Sequence, residues 1–216
     1  DIAEKLTIEL KDAKEYGSLL HLTLSFNELN SLKRRLVEID EMSCEGNLLD
    51  MMESAEIIGG LFPLIEVAEV LTQQFNVVIT NPPYMGNGGM SDKLADFVRQ
   101  NYKYAKTDLF SCFKEHNTEI AKNNGFISMI TMKIWIFISS FENFRTDYQH
   151  RNTLLNLVHM PYLGKGGTSM GISFGTAAYV FSKGFIEKYN AQYDEIRYYE
   201  TDDDGIPFSF PVVNEG

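Results

Sequence analysis

The segment Phe75-Asn76-Val77-Val78-Ile79-Thr80-Asn81-Pro82-Pro83-Tyr84 constrains this chain more than any other: an apolar run stops abruptly at a polar residue, two prolines and an aromatic ring. The β-branched residues Val77 to Thr80 prefer extended backbone, and an unbroken apolar run suits a strand covered on both faces, as in a parallel sheet. Neither proline can continue a hydrogen-bonded ladder, because each lacks an N–H and holds φ near about −65°. Asn81 is itself pushed toward extended geometry by the proline after it. A buried strand ending in a stiff loop is therefore predicted, and open α/β sheets place their chemistry at the carboxyl ends of such strands.

The flanking segments supply the rest of an α/β pattern. Ile2, Leu6, Leu10 and Ala13 recur at helical spacing, with Gly17 placed to end the helix. Leu20, Leu22 and Leu24 alternate with His21, Thr23 and Ser25 as in a strand with one buried face. Ser25 and Glu28 predict a capping box ahead of Leu29, Leu32, Leu36 and Ile39, with Lys33-Arg34-Arg35 on the solvated face of that helix. A Met-containing helix over Leu48 to Ile58 is closed by Gly59-Gly60, and Pro63 suits the first turn of the next one. After Tyr84 comes a small-residue stretch from Met85 to Met90, read as either a mobile substrate loop or a plain linker, then a short helix with Leu94, Phe97 and Val98. Tyr102, Lys103, Tyr104 and Lys106 form the one local basic and aromatic cluster. Asp108 caps a helix of Leu109, Phe110, Phe113 and Ile120 that stops at Asn123-Asn124-Gly125. Strands are predicted at Phe126 to Thr131, Leu154 to Met160, Thr176 to Phe181 and, more exposed, Glu195 to Glu200, with a helix through Phe141, Phe144, Arg145 and Tyr148.

Length predicts one domain over 1–216: a helix-and-strand lead-in to residue 74, the catalytic-motif region over 75–181, and a terminal strand and tail over 182–216. An apolar content of 44% excludes disorder, and no apolar run is long enough to span a bilayer. The opening Asp1-Ile2-Ala3-Glu4 lacks the parts of a signal peptide, which predicts a cytoplasmic protein without membrane association. Cys44 and Cys112 stand far apart with no histidine pair nearby, and the acidic run Asp202-Asp203-Asp204 lacks alternating ligand spacing, so no metal site is predicted. A net charge of −11 disfavours a surface that must hold a polyanion.

Asn81-Pro82-Pro83-Tyr84 after a strand resembles the signature of S-adenosylmethionine-dependent amino-methyltransferases, chiefly the DNA adenine-N6 class. Lys106-Thr107-Asp108-Leu109-Phe110 looks like the helix that follows that motif, and Asn124-Gly125-Phe126-Ile127 like the next strand. Ile134-Trp135-Ile136-Phe137 through Phe141 and Arg145 is similar to a stretch in the adenine methyltransferases of BREX and phage-growth-limitation systems and of type IIG restriction-modification enzymes. The resemblance implies a partial class I, Rossmann-like sheet flanked by helices with late strands partly antiparallel, and transfer of a methyl group to a flipped-out adenine. It implies catalytic roles for Asn81, Pro82, Pro83 and Tyr84, base contacts from Tyr84 and Phe174, and cofactor contacts from Asp108 and Phe110. The chemistry is intelligible. An exocyclic amine conjugated into adenine is a weak nucleophile, and an Asn oxygen together with the next carbonyl can accept its two N–H bonds and localise its lone pair. A base taken out of a duplex also needs an aromatic face to replace its lost stacking.

One feature of that family does not precede Asn81: a Gly-x-Gly strand for the cofactor. Gly164-Lys165-Gly166-Gly167 is the alternative placement in permuted subclasses. The simpler expectation is a catalytic-domain fragment that meets DNA through other parts of a parent protein. Its catalytic-strand edge would then borrow a strand, from Leu20 to Leu24 or from a second copy. Two other functions share the motif or the fold: a glutamine-N5 protein or RNA methyltransferase, and a non-catalytic assembly module.

Overall fold

The computed structural model describes residues 1–43, 47–161, 175–204 and 206–209. They divide into two compact units, Asp1–Gln73 and Gln74–Gly216, where the sequence predicts a lead-in and a catalytic region inside one domain.

The first unit is helical. Asp1 accepts the N–H of Ala3 to cap α1 (Ile2–Glu9), and a short α2 (Ala13–Tyr16) follows and ends at Gly17, whose φ is +57°. Leu20 to Leu24 is not a strand. The Thr23 N–H donates to the Glu9 carboxylate at 3.0 Å, and the Thr23 hydroxyl bonds the same carboxylate, so a side chain takes what a ladder would have used. The predicted capping box opens α3 (Phe26–Ser43): Ser25 N donates to Glu28 Oε2 at 2.7 Å and Glu28 N to Ser25 Oγ at 3.3 Å. Leu29, Leu32 and Leu36 are buried, and Lys33 pairs with Glu69 of α4 (Leu48–Leu71) at 3.0 Å while Arg34 and Arg35 stay exposed. The predicted break at Gly59-Gly60 does not occur. α4 runs continuously through both glycines and Pro63, neither glycine takes a positive φ, and packing against α1 and α3 outweighs the local propensities.

The second unit carries a five-stranded mixed sheet in the order β1-β2-β4-β3-β5. Its strands are β1 (Phe75–Thr80), β2 (Ala121–Met132), β3 (Asn152–His159), β4 (Thr176–Lys183) and β5 (Gln192–Glu195). β1 pairs parallel to β2, β3 pairs parallel to β5, and β4 runs antiparallel to both neighbours. This is the α/β sheet with a late antiparallel strand that the sequence predicts. The carboxyl ends of β1, β2, β3 and β5 therefore share one edge of the sheet. Helices α5 (Asp92–Asn101) and α6 (Leu109–Ile120) join β1 to β2, and α7 (Ile134–Phe137) and α8 (Glu142–Arg151) join β2 to β3.

Three local expectations change. α6 stops at Ile120, and Asn123-Asn124-Gly125 lies inside β2 as an irregularity: Ala121 is opposite Phe75, yet Phe126 is opposite Val77. Asn124 takes φ +61°, and a Cβ on Gly125 would lie 2.8 Å from Lys122 O and 3.0 Å from Asn76 O. β5 lies earlier than predicted, because the Glu200 carboxylate accepts the Arg197 N–H at 2.7 Å and turns Tyr198–Glu200 into a 3-10 helix. β1 is not covered on both faces. Val78 is buried, but Val77 is 52% and Ile79 77% exposed, and among the described residues β1 has a strand on one side only.

The core of this unit is aromatic with a lysine at its centre. Lys114 of α6 is fully buried, and its Nζ lies 3.1 Å from the ring centre of Trp135, 4.4 Å from Tyr148, 4.3 Å from Tyr179 and 4.5 Å from Phe181. Among the described residues no hydrogen-bond acceptor reaches Nζ, and burial pushes its pKa well below the ordinary lysine value. The ring faces oppose that shift by attracting the cation. Among the described residues no helix is long and apolar enough to cross a membrane.

Candidate active site

β1 ends at Thr80, and the chain leaves the sheet as the loop Asn81-Pro82-Pro83-Tyr84. Thr80 Oγ1 accepts from Asn117 Nδ2 of α6 at 2.9 Å, so the strand end is fixed to the helix behind it. Pro82 is buried and anchors the loop, while Asn81 is exposed. The Tyr84 hydroxyl lies 2.9 Å from Asn81 Oδ1 and 3.0 Å from the carbonyl of Ile130 on β2. Burial raises the Tyr84 pKa, which keeps the hydroxyl protonated and donating at neutral pH. Asn81, with two lone pairs on its oxygen, keeps acceptor capacity while Tyr84 bonds it.

The stretch after Tyr84 is stitched to the start of α6 and is not a bare linker. Leu109 N donates to Met85 O at 2.9 Å and Asn87 N to Thr107 O at 3.3 Å, and Gly86 bridges to Asp108. Asp108 caps α6 as predicted, accepting the Phe110 N–H at 3.1 Å. Burial raises its carboxyl pKa, and the backbone N–H groups of Phe110, Met85 and Leu109 oppose that rise.

Among the predicted site residues, the structure brings Asn81, Pro82, Pro83 and Tyr84 into one loop with Asp108 beside it. Phe110 has no exposed surface, and its ring stacks on Phe141 with centres 5.7 Å apart. Asp108 in the helix cap and Phe110 in the core do not by themselves make a pocket for S-adenosylmethionine. Phe174 and Gly164-Lys165-Gly166-Gly167 lie outside the described residues. The basic and aromatic cluster is partly structural: Tyr102 is buried, while Tyr104 carries Lys103 5.0 Å from its ring centre. Arg145 fastens α7 by donating to the Trp135 carbonyl at 2.8 Å and the Ile138 carbonyl at 2.7 Å.

Sequence reasoning missed Asn117 and Lys114. Lys114 and Asn117 lie four and seven residues beyond Phe110 on the inward face of α6, but the local pattern alone does not tell an inward polar side chain from one on a solvated face.

The loop, strands β1 to β3 and the following helix all lie within the stretch of the chain that a family model matches. Residues 5–164 match the Eco57I restriction-modification methylase family, and the chain belongs to it. It is 32% identical over 148 residues to the adenine-specific methyltransferase BrxX of Escherichia coli O9:H4 (strain HS), covering 68% of this chain and 12% of that protein. It is also 32% identical over 186 residues to the adenine-specific methyltransferase PglX of Lacticaseibacillus casei (strain Zhang), covering 85% of this chain and 15% of that protein. The chain thus spans 12% and 15% of the length of these curated relatives. Among solved structures, a DrdV–DNA complex matches 63% of this chain and 16% of its own at 18% identity with a TM-score of 0.47. The type ISP restriction-modification enzyme LlaBIII bound to DNA matches 64% and 11% at 16% identity with a TM-score of 0.46.

Proposed function

We propose that this chain supplies the amine-accepting part of a DNA adenine-N6 methyltransferase that modifies host DNA in a phage-defence or restriction-modification system. The observation that carries the proposal is the loop at the carboxyl end of β1, where an exposed Asn81 oxygen stands beside a half-buried tyrosine on a backbone fixed by two prolines. The family and the names of BrxX and PglX favour adenine over a protein glutamine or an RNA base as the acceptor.

Asn81 Oδ1 and the Pro82 carbonyl accept the two N–H bonds of the flipped adenine amine and orient its lone pair. Tyr84 offers its ring to the base. Its single hydroxyl proton serves Ile130 O or Asn81 Oδ1, so it releases the Asn81 oxygen to the substrate when it turns to β2. S-adenosylmethionine, the cofactor we assign, supplies an electrophilic methyl group. The uncovered margin of β1 is assigned a further strand, from elsewhere in the parent protein or from a second copy. Action on host DNA would take place in the cytoplasm.

The test is Asn81→Ala in the intact protein, with labelled methyl transfer to DNA as readout. Folding and cofactor affinity are expected to stay near wild type while the transfer rate falls by roughly two to four decades, the range for one positioned acceptor. Near-wild-type turnover would remove Asn81 from the mechanism.

A further inference from the structure

Resting on the function proposed above, we propose that a second cleft on the same sheet edge holds the strand that flanks the flipped adenine, with Lys133 and Arg197 on its phosphates and Tyr198 stacked on a neighbouring base. The cleft encloses about 370 Å³ and is lined by Lys133, His159, Glu195, Arg197, Tyr198 and Tyr199. Lys133 follows β2, His159 ends β3, and Arg197 to Tyr199 follow β5. Because these three strands run parallel to β1, the lining gathers beside the Asn81 loop and not at the far edge. Tyr84 itself bonds Ile130 O, three residues before Lys133. Strands are about 4.8 Å apart, so the cleft extends from one to four strand widths, roughly 5 to 19 Å, from the catalytic loop. That span suits the nucleotides next to a flipped one.

The side chains have the chemistry of a single-strand platform. Tyr198 is 72% and Tyr199 55% exposed, a large aromatic surface that the core does not use. Arg197 donates to the Tyr199 hydroxyl at 2.5 Å, which holds guanidinium and ring together. Aromatic faces beside cations bind a strand without reading its sequence. Lys133 is positioned by the backbone: its N–H donates to Gly175 O at 2.9 Å, and a Cβ on Gly175 would fall 2.5 Å from Lys133 Cε and 2.8 Å from Nζ. The bare glycine gives the lysine its path into the cleft. His159 contributes no charge at neutral pH, since burial and the nearby Lys133 hold its pKa below the ordinary value, against the pull of Glu195 at 3.6 Å. Among the described residues Glu195 is the one lining carboxylate; it lies 3.6 Å from His159 and its charge also acts on Arg197, so the cleft's cationic character rests on Lys133 together with a partly countered Arg197.

Binding of the intact protein to a fluorescent single-stranded oligonucleotide, measured across a salt series, tests this directly. Each phosphate contact contributes about 0.7 to the slope of log affinity against log salt on a single strand. Lys133→Gln with Arg197→Gln is expected to reduce that slope by about 1.4, and Lys133→Arg with Arg197→Lys to restore it. Tyr198→Ala should weaken binding roughly tenfold with the slope unchanged. Lys188→Gln, in the exposed turn between β4 and β5 at the opposite edge of the sheet, should leave the slope as in wild type. An unchanged slope in the Lys133/Arg197 variant, or an equal loss in the Lys188 variant, overturns the cleft. The two proposals fail separately. If Asn81→Ala abolishes transfer while the slope is unmoved, the cleft falls and the methyltransferase stands; if wild type methylates no DNA, the function falls while the slope still decides the cleft.

Discussion

Tyr84 has one proton and two oxygens within reach of it, Asn81 Oδ1 at 2.9 Å and Ile130 O at 3.0 Å. Ring and hydroxyl can therefore be separated by mutation. Tyr84→Phe keeps the stacking face and loses the tether on Asn81, so the transfer rate should fall while affinity for DNA with an unpaired target adenine is retained. Tyr84→Ala should in addition weaken base capture by about 1 to 3 kcal/mol, read from 2-aminopurine fluorescence at the target site. Equal behaviour of the two variants in that assay would count against the stacking role. Lys114 makes a second prediction. Its folded-state pKa is depressed, so unfolding takes up a proton at any pH between that value and the ordinary lysine pKa of about 10.4, and stability rises with pH through that window. Lys114→Met should flatten the rise that runs below the ordinary lysine pKa and stabilise the protein more as pH falls through that window, measured as urea midpoints. Identical slopes in the two proteins would show that the cation is retained in the fold. At this scale Asn81 was legible in the sequence because two prolines and a tyrosine frame it. Lys114 and Asn117 were not, since nothing in the local pattern tells a lysine among aromatics from one on a solvated face.

Elements were legible where several local signals agreed and illegible where a distant partner decided. The Ser25/Glu28 box, the Asp108 cap and the strand Phe75–Thr80 are all local, and all formed. Leu20 to Leu24 has strand alternation, but the Glu9 carboxylate met its backbone first. Gly59, Gly60 and Pro63 are helix breakers in isolation, yet α4 runs through them where α1 and α3 pack against it. The Asn123-Asn124-Gly125 turn signal was real but sits within β2, where it lets the strand change register against β1. Gly125→Ala would drive a methyl into Lys122 O and Asn76 O, both backbone atoms that cannot swing aside. An expected loss of about 1 to 3 kcal/mol, with hydrogen exchange rising first at Val77 and Val78, would place the strain in the β1–β2 pair. Unaltered protection there would contradict it. At the margin of the sheet, Ile79→Lys should leave the unit folded and suppress any concentration-dependent association through β1, measured by light scattering.

For the whole molecule, the net charge of −11 is a sum that hides local groupings only the fold assembles. Acidic residues dominate the total, while Lys133 and Arg197 meet at one edge of the sheet, and only the strand order places them there. No window of sequence contains that edge, because residues 81, 133, 159 and 197 come to the same end of the sheet only through strand pairings across the second unit. Topology also gives Lys114 a use unrelated to its energetics. A primary amine sealed behind Trp135, Tyr148, Tyr179 and Phe181 is invisible to an acylating reagent until those rings part. Exposed lysines such as Lys122 and Lys188 would be tagged at once. Mass spectrometry of a brief acetylation should therefore find Lys114 unmodified long after they are saturated, and its slow labelling would time how often the aromatic core opens to water. The protein thus carries its own stopwatch for breathing of the second unit, and the rate it reads should not depend on the concentration of a fast reagent.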